Sequence, residues 1–152
     1  MTKAPEILER LGFESSRMRQ AMSDLSRGQQ QKVALARSFL TSPVLMLLDE
    51  PTTGLDPRSK RDVQSFILDV RREHDATVLL TTHDMDEADA LCDRLAFLSG
   101  GRIIAAGTPL ELRRLVANGA PVETITMERV FLELTGRSIE EDEETKDKVT
   151  HG

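Results

Sequence analysis

The sequence predicts an α/β fold built on a parallel sheet, on three observations. Residues 44–48 (VLMLL) form an unbroken apolar run that ends in two acids, the pattern of a strand buried on both faces of such a sheet. Residues 76–82 (ATVLLTT) read as a second strand. Between them Val63, Phe66, Ile67 and Val70 recur at helical spacing, and a strand, helix, strand order implies a right-handed parallel crossover.

The remaining elements follow in order. Residues 5–11 (PEILERL) read as a short helix that tolerates Pro5 in its first turn and stops at Gly12. Residues 27–41 read as a second helix, N-capped by Ser26, with Val33, Ala36 and Leu40 on its apolar face and Pro43 just past its end. Asp56 caps the crossover helix and Pro57 occupies its first position. His83 lies just past the second strand, and residues 84–92 make a short helix. RLAFLS and RIIAAG pair as a hairpin around Gly100 and Gly101, and Thr108, Pro109 and Glu111 open another helix with a capping box. Met127, Val130, Phe131 and Leu134 mark a last amphipathic helix stopping at Gly136. Residues 1–138 thus form the expected folded domain. Residues 139–152, with six acids against Lys146 and Lys148, are expected to be a disordered acidic tail.

Composition excludes several classes. Apolar residues make up 39% and charged residues 30% of 152, ordinary for a globular chain. The formal charge of -6 comes mostly from the tail, and no basic stripe argues for nucleic acid as a partner. Cys92 is the single cysteine, so neither an internal disulfide nor a thiol metal cluster is available. The opening MTKAPEILERLG holds no apolar leader run, and Val44–Leu48 is far too short to span a bilayer.

Three clusters carry chemistry. Ser26, Arg27, Gly28 and Gln29 place a hydroxyl, a cation, an amide and unpaired backbone N–H groups at a positive helix end, which suits phosphate; an ordinary capped surface helix has the same look. Asp49 and Glu50 end the first strand at the sheet edge where α/β ligands bind, one fitted to hold magnesium and the other to polarise a water, although solvated acids also end strands. His83 projects from the same edge if the two strands are neighbours, and a structural histidine is the alternative.

Taken together the spacings resemble those of ATP-binding-cassette (ABC) ATPases: LSRGQ as the signature, VLMLLDE as Walker B, TGLD as the D-loop, and the histidine of TTHD as the switch histidine. The resemblance covers residues 5 to about 136. It implies a partial P-loop NTPase fold, ATP and Mg2+ as ligands, Glu50 and His83 as catalytic residues, Asp49 on the metal and Asp56 in the D-loop. It also implies that Ser26, Arg27, Gly28 and Gln29 contact a nucleotide held by a second cassette, and that a separate integral-membrane permease holds the pair at the cytoplasmic face. Arg27 stands where the family most often has glycine, as in some drug exporters, and TMERVFLELTGRSIEE resembles the end of exporter ATPases. No GxxxxGK[ST] occurs, since none of the nine glycines precedes a lysine. The P-loop strand, the Q-loop glutamine and the adenine-stacking aromatic are all missing. The expectation is therefore a partial exporter ATPase, unable to hold nucleotide on its own face and poorly soluble alone. A non-catalytic partner offering only its signature face, or a relative of DNA-repair and chromosome-organising ATPases, are the alternatives.

Overall fold

A computed structural model describes residues 4–136, so the expected acidic tail lies outside the described residues. The chain divides into two compact units, described over 4–83 and 84–136.

In the first unit, helix α1 (Ala4–Arg10) buries Ile7 and ends where Gly12 turns left-handed at φ 67. There the Gly12 N–H donates to the Glu9 carbonyl and the Phe13 N–H to that of Leu8, which closes the last turn. A Cβ at Gly12 would sit 2.4 Å from Asp62 Oδ2, so glycine is needed for space as well as backbone angle.

Helix α2 (Arg27–Phe39) starts as expected at Ser26 but buries a face one step round from the expected one. Lys32, Leu35, Ala36 and Phe39 are inside, Leu40 is exposed, and Val33 borders an open depression with Met22 and Arg37. The sequence pattern misleads here because Lys32 belongs to the buried stripe: its stem is covered while its Nζ donates to Asp62 at 2.9 Å.

Strand β1 (Leu45–Asp49) pairs in parallel with β2 (Thr77–Thr81), Leu45 opposite Thr77 and Asp49 opposite Thr81. Helix α3 (Pro57–His74) makes the crossover, with Val63, Phe66, Ile67 and Val70 buried as the spacing predicts. Phe66 meets Phe39 edge-on at 5.6 Å. The expectation of a first strand buried on both faces does not hold. Met46 and Leu48 are 4% and 8% exposed, but Leu45, Leu47 and Leu79 are 54%, 70% and 63% exposed. Among the described residues one face of the strand pair is covered and the pleat turns every second side chain to solvent.

The second unit holds α4 (Met85–Leu91), the antiparallel strands β3 (Leu95–Ser99) and β4 (Arg102–Gly107), and α5 (Pro109–Val116). Residues 127–136 are helical. Its core gathers Ala88, Leu95, Phe97, Leu112, Val116, Ile125, Met127 and Val130. Arg113 ties the unit together by donating to the Ile125 carbonyl at 2.9 Å and pairing with Asp89.

Candidate functional site

All the sequence-predicted site residues fall in the first unit, in two groups. The first lies at the C-terminal edge of the parallel pair. Because β1 and β2 run in register, Asp49 and Thr81 are opposite one another, and the Thr81 hydroxyl donates to Asp49 Oδ1. The next residue, Glu50, bends out of the strand at φ 44, a left-handed conformation that costs a glutamate of the order of 1 kcal/mol. Its N–H still reaches the Thr81 carbonyl at 3.0 Å. The turn releases the carboxylate from the ladder toward two partners: the Thr53 hydroxyl donates to Oε2 at 3.0 Å, and His83 Nδ1 lies 3.0 Å from Oε1. A carboxylate only accepts, so Nδ1 carries the proton in this contact. The His83 bond first, and the Thr53 bond second, hold the Glu50 carboxyl below the ordinary glutamate range.

The second group sits at the helix starts. Ser26 Oγ accepts from the Gln29 N–H and Gln29 Oε1 accepts from the Ser26 N–H at 2.9 Å, a closed capping box. The hydroxyl expected to await phosphate is therefore engaged in holding the helix. Gln29's amide nitrogen is not used by the box, and the Arg27 and Gly28 N–H groups, in the first helical turn, have no intrahelical acceptor. Asp56 is likewise occupied: Oδ1 accepts from the N–H groups of Arg58 and Ser59, each at 3.0 Å. Its carboxyl is held below the usual aspartate range by the Ser59 hydroxyl and then the Ser59 N–H. The two helix starts meet, since a Cβ on Gly28 would lie 3.3 Å from Leu55 Cδ2 and 3.9 Å from Ser59 Oγ.

Glu50 and His83 are thus in direct contact, Asp49 is beside them on the same strand edge, and Ser26–Gln29 adjoin the Asp56 turn. The sequence reading overlooked Thr53 and Thr81, and took Gln31, in the run QQQK after the signature, only as a further donor for phosphate. For Thr81 a signal existed, since parallel strands of equal length, one ending in acids and the other in TT, bring carboxylate and hydroxyl together once paired.

A family model described as ABC transporter matches residues 1–53. The fluoroquinolones export ATP-binding protein of Mycobacterium tuberculosis is 48% identical over 88 residues, which are 58% of this chain and 29% of that protein. The Nod factor export ATP-binding protein I of Neorhizobium galegae is 50% identical over 93 residues, 60% of this chain and 26% of its own length. The chain therefore spans less than a third of these curated relatives. A solved ATP-binding subunit of an ABC transporter superposes with a TM-score of 0.73 at 29% identity, covering 87% of this chain and 52% of the other. A fold held in common, together with a carboxylate and a histidine joined at one sheet edge and a capped LSRGQ helix start, places this chain in the ABC transporter ATP-binding family.

Proposed function

We propose that this chain is the signature-bearing part of an exporter ATPase that couples ATP binding and hydrolysis to transport through a separate integral-membrane permease on the cytoplasmic face. The contact between Glu50 and His83 carries the reading. A nucleotide-binding edge needs an ionised carboxylate free of the strand ladder, and this edge holds one whose two oxygens are aimed by Thr53 and His83. Because those bonds keep the Glu50 carboxyl ionised, it orients a water for in-line attack rather than storing the proton. His83 steadies the carboxylate and offers the rest of its ring to the γ-phosphate.

Asp49 suits a shared Mg2+: one exposed carboxylate at a strand end, with phosphate oxygens supplying the remainder. Among the described residues no three His, Cys, Asp or Glu side chains cluster to hold a metal alone. When bound, the ion neutralises charge on the β- and γ-phosphates. Ser26, Arg27, Gly28, Gln29 and Asp56 face a nucleotide carried by a second cassette. Arg27 and the positive helix start supply the attraction, and Gly28 the close approach.

Supplying a P-loop-bearing cassette segment to the full chain tests the reading. ATP hydrolysis is expected to appear, and to fall at least about a hundredfold in Glu50→Gln, the usual scale for loss of an acid or base. Unchanged hydrolysis in that variant would refute the role of Glu50. The Arg27 and Gly28 N–H groups, left without an intrahelical acceptor at the start of α2, favour a second reading, in which the chain lends only its signature face to an intact cassette. In that case Ser26→Arg, and not Glu50→Gln, abolishes the stimulation of the intact cassette's ATPase.

A further inference from the structure

The run Gln29-Gln30-Gln31-Lys32 at the start of α2 reads in sequence as donors for phosphate, yet the structure gives each residue a different partner in the protein. Gln29 closes the capping box, and Gln30 Nε2 donates to the Met22 and Leu25 carbonyls at 2.9 and 3.1 Å, holding the turn ahead of the helix. Gln31 Nε2 donates to the Pro51 carbonyl at 3.2 Å, and Lys32 pairs with Asp62 of α3. Gln31 therefore reaches the residue that follows Glu50.

That position matters because Glu50 is held at φ 44. A non-glycine residue persists there only when its surroundings over-determine it. On one side the ladder bond from the Glu50 N–H to Thr81 fixes the turn, and inside it the Thr53 N–H closes back on the Glu50 carbonyl at 3.2 Å. On the other side Pro51 is buried and cannot donate, so its carbonyl is the group by which the turn can be held from outside. We propose that Gln31 is a positioning residue for Glu50: its amide bond to the Pro51 carbonyl fixes the left-handed turn that aims the Glu50 carboxylate at Thr53 and His83. Gln31 lies five residues past Ser26 on the same helix, so the turn and the signature face are held as one piece, with the Lys32–Asp62 pair tying in the D-loop helix.

The consequence for hydrolysis rests on the function proposed above, but the geometry is testable without nucleotide, and so the two fail separately. In the full chain, hydrogen exchange at the Glu50 and Thr53 amides reports the turn, because those two N–H groups make the backbone bonds that close it. Gln31→Met keeps length and removes the donor, and both amides are expected to exchange at least about tenfold faster. Gln31→Lys restores a donor and is expected to restore the slow exchange. Gln30→Met, which loosens the helix start without touching Pro51, is expected to leave it slow. Should the methionine variant fail to fold, Gln31→Asn, one methylene short of the carbonyl, is expected to speed both amides in the same way. Exchange that stays slow in Gln31→Met or Gln31→Asn, or that quickens equally in Gln30→Met, overturns the proposal.

Discussion

The two strand pairs of this molecule are closed in different ways. β3 and β4 are neighbours in sequence, joined through Gly100 and Gly101 at φ 53 and 75, the paired left-handed angles that suit a tight hairpin. The helices that follow bury Leu95 and Phe97 within the same stretch of chain, so the second unit completes its core locally. β1 and β2 are parallel, and one of their faces leaves Leu45, Leu47 and Leu79 in solvent. A parallel pair needs cover on both sides. The residues described here provide it on one, even though Leu98 and Ile103 show that the hairpin too has an outer apolar pair.

Truncating each core gives the largest effect that tests this difference. Phe66, 1% exposed and edge-on to Phe39, and Leu112, 1% exposed in the second core, are comparably buried. Phe66→Ala is expected to cost about 3–5 kcal/mol and Leu112→Ala about 2–5 kcal/mol. The comparison predicts different outcomes at similar cost. Hydrogen exchange should show α3 and β2 losing protection in Phe66→Ala while β3 and β4 keep theirs, because the second core gathers its buried residues from 88–130 alone. If both units lose protection together in either variant, they melt as one and the contrast between local and incomplete cores fails.

Next in size is the exposed parallel face. Amides of β1 and β2 are expected to exchange at least about tenfold faster than those of β3 and β4, a difference of about 1.4 kcal/mol in opening energy. An exposed apolar face with open strand edges also favours self-association. Leu47→Lys with Leu79→Lys places two cations on that face and is expected to reduce association measured by light scattering, with the melting of the second unit unchanged. Equal exchange in both sheets, or association indifferent to the two lysines, would break the argument.

Much of this was legible in sequence, for particular reasons. The α3 stripe was read correctly because every buried position in it is apolar. Caps at Ser26, Asp56 and Thr108 were visible because capping uses few residue types at fixed positions. The nearness of Glu50 to His83 was legible only on the condition that the two strands are neighbours, which their pairing meets. The burial of α2 was not legible, since Lys32 enters the core by its stem and its partner Asp62 lies thirty residues away. Nor was the one-sided exposure of β1, because an unbroken apolar run states what a strand is suited to and not what covers it. The partner of Gln31 was not legible for a third reason: a run of glutamines gives no sign of which carbonyl each will find.

The smallest expected effects concern the two capping boxes, which are alike in geometry and differ in charge. Ser26→Ala and Thr108→Ala are each expected to cost about 1 kcal/mol, read as faster exchange in the first turns of α2 and α5. The box on α2 is completed by Gln29, which does not titrate, and the box on α5 by Glu111, whose Oε2 accepts from the Thr108 N–H at 2.8 Å. That backbone bond, followed by the Thr108 hydroxyl, holds the Glu111 carboxyl below its ordinary value of 4.5. A carboxyl depressed in the folded state stabilises it above the unfolded pKa, and the contribution is lost as pH falls through the folded value. Acidification through 4.5 and below should therefore loosen the start of α5. The α2 box itself contributes no such dependence. Exchanging the residues tests the assignment directly, because Glu111→Gln should remove the pH dependence at the α5 start and Gln29→Glu should create one at α2. If acid loosens the α5 start equally in Glu111→Gln, the dependence belongs to another carboxylate and the box is not its source.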